Sequence, residues 1–190
     1  MQRLRLLVLL GVLCGGIASP VRAAECADLW DWVNKACRRV VDTYTDGGNE
    51  LIVSGYSWHV PWTWTAEARA NENEYAWGGG WGRTIERENG DTDTVYFLVF
   101  SDSHKEPEFN LGYAWSTYWR DRDSIQPGLG YTAMIIQRPD IANGIPFPAI
   151  LPLFSLRYDK FTLVSTFIPT LNGGINHGSV LYVFGKIALP

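Results

Sequence analysis

The stretch FLVFSDSHKEP, Phe97 to Pro107, runs an apolar strand-like segment into a polar cluster in which Asp102, Ser103 and His104 are consecutive. A second strand-like segment, GYSWH, ends on His59. An imidazole titrates near neutrality, which suits His59 to deprotonating a hydroxyl. Asp102 would orient that base or stabilise its charge. Ser103 would serve as a nucleophile or as a hydrogen-bond donor to a developing oxyanion. Neighbours in the chain cannot easily take opposite ends of a Ser-His-Asp relay, so the adjacency of Asp102 and Ser103 favours direct transfer over a covalent intermediate. The plain alternative is that Asp-Ser at a strand end makes an ordinary turn and that a histidine beside tryptophans is an interface residue. His104 and His177 lie in loops and could touch a headgroup. No tight ligand spacing links the three histidines, so neither a metal nor another cofactor is expected.

What decides between chemistry and turn is the set of elements that hold these residues. Residues 1–23 have a basic start, an apolar run and a small-residue cleavage site after Ala23, the pattern of a secretory signal peptide. Removing it takes away three arginines and no acid, so a net charge of −4 becomes −7, which argues against a nucleic-acid partner. Cys26 and Cys37 remain. Residues 24–46 repeat apolar positions at helical spacing, and on one straight helix two cysteines eleven residues apart would lie roughly 16 Å from each other, too far to bridge. This amphipathic segment suits a membrane interface or a plug at a barrel end.

From residue 47 to 190 short aromatic-rich segments alternate with turns. Eight strands are expected, at about 50–60, 73–86, 93–102, 109–120, 125–138, 149–158, 160–168 and 178–188. Of the chain's nine Trp, nine Tyr and eight Phe, all but Trp30, Trp32 and Tyr44 lie in this part of the chain. In FNLGYAWSTYWR one parity carries Phe109, Leu111, Tyr113, Trp115 and Trp119, and the other carries Asn110, Gly112, Ala114 and Ser116. A soluble ligand-binding barrel would put its apolar face inside. Here the bulky face must point outward, which means lipid around the barrel. VYFLVF and VLYVF are apolar on both parities, so part of the interior is greasy as well. An eight-stranded barrel leaves room for side chains and one slender ligand. His59 shares its parity with Val53, Gly55 and Ser57 and so faces the lumen.

GYSWH, WGGGWG at 77–82, Asp102-Ser103 followed by KEP, GYAWSTYWR, IPFPAILPL at 145–153 and FIP at 167–169 together resemble the outer-membrane phospholipid:lipid A palmitoyltransferase family, the PagP type. The resemblance implies an all-β, eight-stranded antiparallel transmembrane barrel preceded by an amphipathic helix on the periplasmic side. It also implies transfer of a palmitoyl chain from a phospholipid donor to lipid A in the outer leaflet of the bacterial outer membrane, by a protein expected to act as a monomer. Carried onto this chain, the family's functional residues are His59, Asp102 and Ser103. Ala114 stands where well-known members have glycine at the floor of the acyl pocket, and Pro152 and Pro169 stand where prolines weaken pairing of strands six and seven to admit lipid. The alternatives are a non-enzymatic structural or adhesive barrel, which would make His59, Asp102 and Ser103 dispensable, and a soluble lipid carrier.

Overall fold

The computed structural model describes Cys26 and residues 30–120, 123–171 and 177–190; the signal segment lies outside the described residues. Helix α1 (Asp31–Asp46) precedes β1 (Gly48–His59), and a short helix α2 (Ala66–Ala70) follows it. Then come β2 (Gly78–Glu86), β3 (Thr92–Ser101), β4 (Pro107–Tyr118), β5 (Gln126–Gln137), β6 (Phe147–Tyr158), β7 (Phe161–Ile168) and β8 (Val180–Ala188). Each strand pairs antiparallel with the next, and β8 pairs back on β1, closing the barrel.

The alternation expected from the sequence sorts the two faces. Leu111, Ile150 and Phe161 on the outer wall are 63%, 75% and 60% exposed, whereas Asn110, Leu151 and Thr162 beside them are buried. Exposed apolar side chains on every side of a closed sheet are stable only against lipid. Inside, Ile52, Leu98, Phe100 and Tyr182 pack together, with Tyr182 stacked 4.7 Å from Phe100 and 5.5 Å from Phe184.

On β1 the alternation breaks. Val53 faces outward, contrary to the parity reading, while Ile52 and Ser54 face inward. A register shift between Ser54 and Tyr56 then returns Ser57 and His59 to the lumen. A β-bulge inserts one residue and so inverts everything beyond it. Gly55 sits at the shift because a Cβ there would come within 2.7 Å of the Val183 carbonyl oxygen.

Three further expectations need correction. Strand two begins at Gly78, not near residue 73, because residues 73–76 leave the β3 ladder and bond elsewhere: Ser57 N–H donates to Glu74 O, Ala76 N–H to Gly55 O and Asn73 N–H to Ser103 O. Cys26 and Cys37 are disulfide-bonded, with Cα atoms 5.9 Å apart; the helix starts only at Asp31, so the straight-helix separation does not apply. Finally, α1 does not plug the barrel. Its Arg39 pairs with Asp93, which stands on the outward parity of β3 with Phe97, so the helix covers the outer wall at the inner rim. Asp93 is fully buried there, also receiving Arg87 at 2.6 Å and the Tyr113 hydroxyl at 2.5 Å. Trp30 and Trp32 stay exposed.

Candidate active site

Strand direction brings the candidate residues to one rim. β1 runs outward to His59, β2 returns, and β3 runs outward to Ser101, so the turn carrying Asp102 and Ser103 lies at the same end as His59. His59 is fully buried, its ring edge-on to Trp64 with centroids 4.9 Å apart. Its Nε2 lies 2.9 Å from Ser103 Oγ, a hydrogen bond between imidazole and hydroxyl. Asn73 anchors the far side of this contact, since its N–H holds the Ser103 carbonyl at 2.7 Å and its amide donates to the Asp102 carbonyl at 3.2 Å.

The hydrogen bonds of the Asp102 carboxylate go to its own turn. Its Oδ1 accepts the N–H groups of His104 and Glu106, both at 2.8 Å, which bends the chain directly after β3. Its Oδ2 lies 3.3 Å from Arg138 Nη2. The same guanidinium binds Asp140 at 2.7 Å and stands 3.6 Å from Glu108, while His104 approaches Asp140 at 3.4 Å. Asp102, His104 and Asp140 are close enough together to hold a cation, yet the Arg138 guanidinium already supplies positive charge among them. Burial disfavours the Asp140 carboxylate, but the Arg138 hydrogen bonds outweigh it and hold the group below its usual range. Burial equally opposes the charge on Arg138, and the hydrogen bond to Asp140 with the fields of Glu108, Asp140 and Asp102 keeps it protonated more firmly than a free guanidinium.

Two more carboxylates, which sequence reading missed, face the His59 ring. Glu74 Oε1 lies 3.7 Å from His59 Nδ1, and Glu72 Oε2 lies 4.0 Å from Nε2. Neither shows in any spacing pattern, because the segment that carries them is placed by main-chain bonds to β1 and β3.

Below this rim the lumen is a cavity of about 400 Å³ running from His59, Asp102 and Ser103 past Leu98, Leu151 and Leu153. Ala114 lines it, on the lumen parity expected, and is in register with Thr94 and Thr132. Tyr96, also missed, lies flat on the wall beside it. Its hydroxyl reaches Thr132 Oγ1 at 2.7 Å across Gly112, where a Cβ would meet that hydroxyl at 2.6 Å.

The β6–β7 ladder stops at Leu153 and Thr166, so the seam has six rungs and is unladdered on the outer-rim side. Pro152 is the next residue of β6 there; its carbonyl accepts the Thr166 hydroxyl at 2.8 Å. Pro169 lies just beyond β7 and not within it, since a residue without an N–H cannot extend the ladder. The β1–β2 seam also has six rungs, followed towards the rim by the isolated bridge of Tyr56 with Tyr75.

A lipid-facing eight-stranded barrel, with a greasy lumen ending under a buried imidazole–hydroxyl pair, is a membrane β-barrel of the enzymatic kind. The chain belongs to the family described as antimicrobial peptide resistance and lipid A acylation protein PagP, whose model matches residues 39–186. Among similar proteins, a lipid A acyltransferase PagP from Bordetella parapertussis is 40% identical over 167 residues, covering 88% of this chain and 90% of its own. The protein of the same description from Legionella pneumophila is 35% identical over 188 residues, covering 97% and 99%. That from Methylobacillus flagellatus is 30% identical over 164 residues, covering 86% and 88%.

Proposed function

We propose that the protein is a lipid A acyltransferase of the outer membrane that moves a palmitoyl chain from a phospholipid to lipid A in the outer leaflet. Family membership supports lipid A acylation. The donor and the leaflet rest on one observation: the apolar lumen ends under the His59–Ser103 pair at the rim remote from α1. A phospholipid acyl chain inserted there leaves its ester beside His59, while its headgroup stays at the rim. The exposed Trp30, just before α1, and Trp32 on it suit the opposite, periplasmic interface.

In this reading His59 Nε2 takes the proton of the attacking hydroxyl as that oxygen bonds to the ester carbonyl carbon. Collapse of the tetrahedral intermediate breaks the bond to the glycerol oxygen, which recovers the proton from Nε2 and departs as lysophospholipid. Ser103 either takes the acyl group first or stays in the hydrogen-bond relay. Trapping labelled palmitate on Ser103 would establish the covalent route, and its absence during steady turnover the direct one. Asp102 shapes the turn that presents Ser103 and ties it to Arg138. Ala114 limits the depth of the acyl pocket, and the seam at Pro152 and Pro169 admits the chain sideways.

The test is the mass spectrum of lipid A from cells with and without the protein. One added C16 acyl chain, with lysophospholipid released, is expected. No gain of mass where outer-leaflet phospholipid is available would overturn the reading, and loss of the gain in His59→Ala ties it to this site.

A further inference from the structure

The buried ring of His59 has two nitrogens with different surroundings. Nε2 faces the lumen and Ser103. Nδ1 is buried and has no hydrogen-bond partner within reach among the described residues; the Glu74 carboxylate stands 3.7 Å from it. A buried ring nitrogen that carries a proton needs an acceptor, and the group that accepts it fixes which tautomer is present. Contacts within an active site are often long before substrate binds and shorten in the complex.

Glu74 is held for this task from three sides. Its main-chain oxygen accepts the Ser57 N–H at 2.8 Å, two residues before His59. Its Oε2 accepts the Tyr56 hydroxyl, and its Oε1 lies 3.4 Å from the His59 main-chain N–H. The neighbouring Asn73 binds the main chain of Ser103. A single dipeptide, Asn73-Glu74, therefore spans the gap between β1 and β3 and fixes both members of the base–hydroxyl pair. The titratable groups that face the ring are Glu72, Glu74 and His104. Glu72 stands on the Nε2 side, from which a substrate hydroxyl must come, and so cannot keep a proton on Nδ1. Asp102 is engaged with the His104 and Glu106 amides and with Arg138.

We propose that Glu74 is the positioning carboxylate of the site: it accepts the Nδ1–H of His59, so that Nε2 is the free base facing Ser103 and the acceptor hydroxyl. Glu74 does not touch the ester. It acts through His59, holding the ring's tautomer and orientation and stabilising the imidazolium that forms when Nε2 takes a proton. The proposal rests on the reading of His59 as the base, and it requires neither the covalent nor the direct route. It removes the objection that Asp102 and Ser103 cannot serve one relay, because the carboxylate comes from a different segment.

The test uses the full barrel in detergent with dipalmitoyl phosphatidylcholine as donor and purified lipid A as acceptor. His59→Ala, Glu74→Gln, Glu74→Asp and Tyr56→Phe are compared, with heat-modifiable gel migration reporting the folded barrel. Glu74→Gln should lower kcat by about 10- to 100-fold with KM nearly unchanged, less than the roughly 10²- to 10⁴-fold at stake in the base itself. Glu74→Asp should recover part of the loss, because charge is restored on a shorter arm. Tyr56→Phe, which frees one carboxylate oxygen, should lower kcat less. If the glutamine variant does not fold, the aspartate and phenylalanine variants carry the test through their smaller falls in kcat at constant KM. A folded Glu74→Gln protein with wild-type kcat beside an inactive His59→Ala overturns the role of Glu74. A rise in KM at constant kcat overturns it too, since that marks a substrate contact. Full activity in His59→Ala instead overturns the base assignment on which the proposal stands.

Discussion

Replacing Ala114 with glycine should lengthen the preferred acyl chain by about one carbon, and replacing it with leucine should shorten it by several. The Ala114 Cβ faces the lumen in register with Thr94 and Thr132, and the Tyr96 phenol, pinned to Thr132 at 2.7 Å, stiffens the wall next to it. A wall fixed in this way cannot close up when a methyl is removed, so the space goes to the ligand. Each further buried CH₂ contributes ~0.8 kcal/mol, while forcing one into a filled pocket costs ~1–3 kcal/mol. Adjacent chain lengths should therefore differ by about 10- to 200-fold in kcat/KM, with the optimum displaced in each variant. Phosphatidylcholines of graded chain length, offered singly in detergent to the three proteins, measure this. Identical profiles would remove Ala114 from the floor of the pocket. If Tyr96→Leu alone then shifted the profile, the phenol would be the stop.

Other outcomes follow from the same contacts. His59→Ala and Ser103→Ala should abolish transfer with the barrel still heat-modifiable. Asp102→Ala should abolish transfer and also lower stability in urea unfolding by ~1–3 kcal/mol, because two amides and Arg138 lose a buried acceptor. Equal stability of all three would contradict the role of Asp102 in shaping the turn. Cysteines at Pro152 and Phe167, the next rung above Leu153 and Thr166, should form a clamp that slows transfer and is relieved by reductant. Unchanged rates with the bond confirmed would exclude this seam as the route for lipid. Asp93→Ala should loosen α1 by ~1–3 kcal/mol, read as earlier loss of helix signal in urea, because Arg39, Arg87 and Tyr113 share that one carboxylate. Since the folded-state pKa of Asp140 is depressed, its pairing with Arg138 stabilises the 138–144 loop fully above the ordinary carboxylate pKa and is lost as pH falls through the folded value. Protease cleavage of that loop should rise on acidification, and Asp140→Asn should remove the dependence.

The face of each strand was legible because lipid and lumen impose opposite demands at every second residue, so Leu111 and Phe109 against Asn110 and Gly112 admit only one orientation. That logic fails where the period is interrupted. Strict parity puts both Val53 and His59 in the lumen, yet Val53 faces lipid, and only the bulge between Ser54 and Tyr56 brings His59 inside. One straight helix through both cysteines would keep them apart, and a helix start at Asp31 lets them meet.

The partners of the site residues were hidden for a different reason. A strand end can be read from its own residues, so His59, Asp102 and Ser103 stand out. What each of them touches depends on loops that return from elsewhere. Arg138 comes to Asp102 from the end of β5, and Glu74 comes to His59 from a segment that reads as strand but leaves the β3 ladder. That departure has a physical cause and a use. Once the β2–β3 ladder ends at Gly78 and Phe100, the amides of Asn73 and Ala76 need new acceptors, and they find them on Ser103 and Gly55. The segment that bridges β1 to β3 for its own hydrogen bonds thereby sets a carboxylate beside His59 and an amide beside Ser103. Adjacency of Asp102 and Ser103 in the chain suggests that they act as one unit, but their main chain turns them apart, Asp102 towards Arg138 and Ser103 towards His59.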